Sequence, residues 1–179
     1  MPLSIPSHKR LFAGAAALAS IAALAALASS AADAARAAGP PRCTTAGLVL
    51  WVPDGTGNGA AGSIFYNLNF TNQSGHRCTL RGFPGVSAVN LAGHQLGRAA
   101  QRDTTRSAHL VSLANDATAT MVLRTADTGV FSPAVCRPVQ AAGLRVYPPG
   151  QTVAKYVSLP FSACSRSGPS YLTVRPVTR

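Results

Sequence analysis

Four cysteines, Cys43, Cys78, Cys136 and Cys164, carry the most definite chemistry in this 179-residue chain. Consecutive ones lie 35, 58 and 28 positions apart. None forms the C-x-x-C pair that a zinc ribbon or a thioredoxin-like redox centre needs. An even number of widely spaced cysteines behind an export signal reads as two disulfides, for which three pairings exist. Pairing of sequence neighbours, Cys43 with Cys78 and Cys136 with Cys164, is the expectation adopted. Each such loop is worth roughly 3.5–4 kcal/mol in the chain-entropy account.

The other reactive side chains are sparse. The sequence has no Glu, and four of its five acids (Asp54, Asp103, Asp116 and Asp127) follow the leader. Two-carboxylate glycoside chemistry would have to draw on these scattered positions. A nucleophile elbow of the G-x-S-x-G type is absent. His76, His94 and His109 lack the i, i+4 spacing or the neighbouring ligands that a metal site requires. Gly57, Gly59 and Gly62 match G-x-G-x-x-G, the phosphate-binding turn of dinucleotide folds. That turn must open a helix and be followed by an acid about 20 residues on. Here a strand pattern follows, and no Asp lies between 54 and 103. A Gly-rich loop is the better reading, and no cofactor, metal or catalytic residue is expected.

Charge is the remaining signal. Sixteen Lys and Arg, less Lys9 and Arg10 in the leader, leave fourteen against four Asp. All but Lys155 are Arg. Arg98, Arg102 and Arg106 recur every four positions in a Thr-rich segment expected to be an extended loop, and they are the candidate anion-binding residues. A positive field attracts anionic polymers, so the expected partner is an anionic cell-wall polymer or an envelope protein. Aromatic residues do not interleave with the basic ones, which argues against specific nucleic-acid binding.

These side chains need a scaffold, and the text from Cys43 onward supplies one. In Ser63 to Asn72, Ile64, Tyr66, Leu68 and Phe70 alternate with Phe65, Asn67, Asn69 and Thr71, the period of a strand with one buried face. Further strands are read at 48–52, 78–81, 86–91, 94–98, 108–113, 117–125, 144–147, 153–159 and 171–174. Residues 86–98 read as one hairpin, and 108–125 as a second around Ala114, Asn115 and Asp116. The stretch 125–139 is irregular, with room for one short helix. About nine short strands split by Gly and Pro turns predict an all-β, Ig-like β-sandwich.

Ahead of it, Lys9 and Arg10 precede an Ala-rich apolar run from Leu11 to Ala28, and Ala32 and Ala34 frame a small-residue exit. That is the order of a secretory signal peptide. The expected organisation is a signal peptide over 1–34, a short linker over 35–42 and a single β-sandwich domain over 43–179. No transmembrane span is expected once the leader is cleaved. Cys43 follows Pro40, Pro41 and Arg42, so no lipoprotein acylation site is evident.

The run Phe70-Thr71-Asn72-Gln73-Ser74-Gly75-His76-Arg77-Cys78-Thr79-Leu80-Arg81-Gly82-Phe83-Pro84-Gly85-Val86 resembles the core signature of the bacterial domain-of-unknown-function family 4232. Gly143-Leu144-Arg145-Val146-Tyr147-Pro148-Pro149-Gly150 is similar to that family's second recognisable stretch. The resemblance spans roughly Cys43 to Val177. It implies a secreted or envelope protein of high-GC Gram-positive bacteria with an Ig-like sandwich, and it implies no activity. The resulting expectation is an exported, non-catalytic, envelope-associated binding or structural domain. A secreted hydrolase, or an inhibitor of hydrolases, with a site that no pattern marks is the alternative.

Overall fold

The strand with the clearest alternation forms as β3 (Ser63–Asn72) in a computed structural model that describes residues 39–53 and 57–179. The signal peptide assigned to 1–34 and residues 35–38 of the linker lie outside the described residues. Tyr66, Leu68 and Phe70 of β3 are buried while Asn67 is exposed. Ile64 shares their phase but remains exposed at the end where the strand leaves the core. Beside β3 runs β9 (Thr118–Ala126), which turns Ala119, Met121 and Leu123 inward.

Around this pair the sheet orders as β1 (Leu48–Trp51), β3, β9, β12 (Leu172–Val174) and β7 (Gln101–Arg102), with β2 (Asn58–Ala60) also on β3. A second sheet orders as β11 (Lys155–Cys164), β10 (Pro138–Tyr147), β5 (Gly85–Val89) and β6 (Gln95–Leu96). A ribbon of β4 (Cys78–Arg81) and β8 (Leu110–Leu113) completes the set. One apolar cluster draws on all three, including Phe70, Leu80, Leu113, Leu123, Leu144 and Leu159. Lys155 Nζ donates to the Leu48 carbonyl, tying β11 to β1. The protein is an all-β sandwich.

Among the described residues there are twelve strands rather than about nine, because β2 and β7 are too short to show a period. The glycine-rich segment is a hairpin arm and not a loop. Ala61 and Gly62, at φ 45° and 69°, make the two-residue turn from β2 into β3, a backbone twist that suits a tight hairpin. The segment 98–106 is also less open than expected, since β7 pairs in parallel with β12. The hairpin at 86–98 is present, as β5 on β6. Between β9 and β10 the chain makes a 3-10 turn at Thr128–Val130 and a one-turn helix, α1 (Pro133–Cys136).

The second expected hairpin is not formed. β8 pairs with β4, and β9 pairs with β3. The corner between them folds around the buried Asn72 instead of closing a ladder. Asn72 Nδ2 donates to the carbonyls of Leu113 and Ala114, the Asn72 N–H donates to Ala117, and the Asp116 N–H donates to the Asn72 carbonyl. Those bonds send the chain from the ribbon into the large sheet.

Where β10 meets β11 the register slips between Ala141 and Gly143, so that Leu159 and Pro160 together face Ala142. Proline suits such a bulge, having no N–H to offer a ladder. A β-carbon on Gly143 would stand 2.3 Å from the Val157 carbonyl oxygen. Gly143→Ala therefore has to push two paired strands apart, a destabilisation of about 1–3 kcal/mol. Urea unfolding of the variant checks this, and an unchanged midpoint would show that the bulge relaxes freely.

Candidate anion-binding surface

Both expected disulfides are closed, Cys43 with Cys78 and Cys136 with Cys164, and no described cysteine is free. The first one matters for what lies outside the core. It fastens the entering chain to β4 at the point where Arg42 makes a parallel bridge to Thr79. The Thr79 N–H donates to the Pro41 carbonyl, and the Cys43 N–H donates to the Thr79 carbonyl. The last residues of the linker are thus docked against the ribbon.

The histidines do not converge. His76 Nδ1 lies 3.0 Å from the Ser74 carbonyl in its own turn, and His94 is exposed after the turn that follows β5. Among the described residues no three His, Cys, Asp or Glu side chains approach closely enough to share a metal ion. Each described acid is engaged locally. Asp127 accepts from the Gly129 N–H, and Asp116 accepts from Asn115 Nδ2. Asp103 accepts from the Thr105 hydroxyl and N–H. The Thr105 hydroxyl, then the Thr105 N–H and the nearby Arg175 and Arg106, hold the Asp103 carboxyl below its ordinary value. A lowered folded-state value stabilises the fold above the usual carboxylate range, and that contribution is lost as pH falls through the folded value.

Three clefts run together along one stretch of surface. The first, about 270 Å³, is lined by Arg42, Thr79, Arg81, Leu110, Pro149 and Gly150. The second, about 360 Å³, takes Arg106, His109, Arg175, Pro176 and Thr178. The third, about 350 Å³, lies between β8 and the segment Val177–Arg179. It shares Leu110 with the first cleft and His109 and Thr178 with the second. The result is a continuous band bearing Arg42, Arg81, Arg106, Arg175 and Arg179. Within the band only Arg175 has an acidic partner among the described residues, Asp103 at 3.5 Å. Both partners are partly exposed, so solvent screening leaves the pair little effect on stability.

The three arginines singled out by spacing are divided by the fold. Arg106 lines the second cleft. Arg102 is carried on β7 with its guanidinium 6.0 Å from the Phe83 ring, a cation–π distance. Arg98 is exposed in the bend ahead of β7. Arg42, Arg81, Arg175 and Arg179 stand in no spacing pattern along the sequence. The available signal is the alternation in β4, which puts Arg81 in the phase opposite to the buried Cys78 and Leu80. That pattern marks a surface residue but does not name its neighbours.

The family model for a domain of unknown function, DUF4232, matches residues 43–178. The chain belongs to the DUF4232 family. No curated protein and no solved structure matches it. The DUF4232 match includes all four bridged cysteines, all twelve strands and Arg81, Arg106 and Arg175 of the band. Arg42 and Arg179 stand just outside it. The DUF4232 description names neither a ligand nor an activity.

Proposed function

We propose that this protein is an exported, non-catalytic domain that associates with the cell envelope by binding an anionic polymer. The observation that carries the reading is the band of three connected clefts, with five arginines and one acidic partner among the described residues. Guanidinium groups bind phosphate and carboxylate bidentately, so a row of them suits a polymer that repeats either group. Export is supported by the basic and Ala-rich leader and by two buried disulfides, which persist in oxidising compartments. Each exposed contact is weak, so the binding is multivalent and salt-sensitive.

The test is co-sedimentation of the protein, from residue 35 onward, with purified cell walls. Retention is expected at low salt, with release by roughly 0.5 M, where the Debye length has shrunk severalfold. Retention indifferent to salt would overturn the electrostatic reading in favour of an apolar or sugar pocket. The triple variant Arg98→Ala, Arg102→Ala, Arg106→Ala should lose part of the retention through Arg106. An unchanged triple variant removes those three residues while leaving the rest of the band in place.

A further inference from the structure

We infer that Arg42 and Arg81, over the floor of Thr79 and Leu110, form a site for a single phosphate-bearing group. The inference rests on the binding reading above and names the ligand chemistry of one of its clefts. The strand alternation of β4 is the starting point. Cys78 and Leu80 are both 1% exposed and face the core, so Thr79 and Arg81 take the opposite, outward phase. Arg81 is exposed, while Thr79 is buried beneath the entering chain, its hydroxyl donating to the Pro40 and Pro41 carbonyls. On the partner strand Val111 and Leu113 are buried, which puts Leu110 and Ser112 on that same outer face. Arg81 is paired directly with Leu110. The ribbon thus presents one cation, Arg81, beside an apolar step, Leu110.

The second cation is delivered from outside the ribbon. Hydrogen bonds between Pro41, Cys43 and Thr79 lay the entering chain along the free edge of β4, and the adjacent Cys43–Cys78 bridge pins it there. This leaves Arg42 at the mouth of the same cleft. On its far side, Pro149 and Gly150 belong to the turn closed by the Gln151 N–H on the Pro148 carbonyl. Arg42 Nη1 lies 3.5 Å from where a β-carbon on Gly150 would stand, so its guanidinium is laid against that turn.

Two guanidiniums therefore line a cleft of about 270 Å³ to which no described acid contributes. Like charges on one small cleft repel, and an oxyanion between them removes that repulsion. A phosphate group fits this better than a carboxylate. It presents oxygens on a tetrahedron to donors on different walls, whereas the two oxygens of a carboxylate lie in one plane.

The experiment titrates inorganic pyrophosphate into the disulfide-intact protein by calorimetry, with wall sedimentation in parallel. Arg42→Gln and Arg81→Gln should each weaken pyrophosphate binding about tenfold, the loss of one charge-assisted hydrogen-bonded contact. Arg166→Gln, an exposed change away from the cleft, should leave it unchanged. All three sites are exposed, and an unaltered melting temperature confirms that folding is intact. Walls stripped of phosphodiester polymer, and vesicles of phosphatidylglycerol, distinguish a wall source from a lipid source of the phosphate. Pyrophosphate affinity equal in all variants would overturn the site while leaving salt-sensitive wall binding to the rest of the band. Retention that survives removal of wall phosphate, with no binding to the vesicles, would overturn the phosphate assignment. Absence of both pyrophosphate and wall binding in the unmodified protein would remove the broader reading as well.

Discussion

Removing the Cys136–Cys164 bridge, as the pair Cys136→Ala and Cys164→Ala, should lower stability by about 3–4 kcal/mol. For a domain near this size that is a fall in Tm of roughly 10–15 °C. The folded state has little else to lose at this place. The Arg166 N–H donates to the Cys136 carbonyl, the Ser165 N–H and hydroxyl donate to the Arg137 carbonyl, and Pro138 pairs with Cys164 in the β10–β11 ladder. With those bonds retained, the effect comes chiefly from the freedom returned to the unfolded chain across 28 positions. Both sulfurs sit at fully buried positions, so truncation adds a small cavity term. Thermal melts of the variant, and of the unmodified protein with and without reductant, check the expectation. A shift below about 3 °C would mean that the unfolded chain is already restrained. A domain that leans this far on a bridge should accumulate poorly in a reducing compartment, in keeping with the proposed export.

Asn72→Asp should be of comparable size although it changes only one atom type. The Asn72 side chain is fully buried at the meeting of β3, the 73–77 turn and the corner at 113–117. Its Nδ2 donates to the carbonyls of His76, Leu113 and Ala114, at 2.8, 3.2 and 3.0 Å, and its Oδ1 accepts from the N–H and hydroxyl of Ser74. A carboxylate would face three carbonyl oxygens with no proton to give them. The expected loss is about 3 kcal/mol or more, from unmade bonds and an unpaired buried charge. The deficit should shrink as pH falls, because protonation removes the charge and restores one donor. Chemical denaturation of both proteins across the acid range tests the sign. A deficit that grows on acidification would show that water or a cation reaches the site.

The same side chain marks where reading along the chain stops working. Strands β8 and β9 were legible from composition and period, and so was the turn between them. A turn flanked by two strands is ordinarily a hairpin, yet β8 belongs to β4 and β9 to β3. The choice was made by Asn72, about forty positions away in sequence. Short edge strands escaped for a different reason. β7 has two residues and β2 has three, too few for any period. Cysteine count and spacing allowed two bridges in any of three pairings, and the fold closed the sequence-neighbour pairing that was adopted. The two loops are independent of each other, and each closes over one stretch of strands.

For the binding surface the division falls along the same line. Composition alone established that cations outnumber acids, that almost all are Arg, and that few carboxylates exist to neutralise them. Those statements depend on counting, which folding does not alter. The period of two established an inward face and an outward face for each long strand, because successive side chains of any extended chain point in opposite directions. Which arginines share a surface depends on strand pairing and on the docking of the entering chain. Those bring position 42 beside 81 and position 106 beside 175. Spacing along the chain grouped Arg98, Arg102 and Arg106, but the parallel pairing of β7 with β12 and the turn after it set them in different surroundings. An every-fourth-residue pattern gathers side chains only on a helix, and here the backbone is a bend, a strand and a turn.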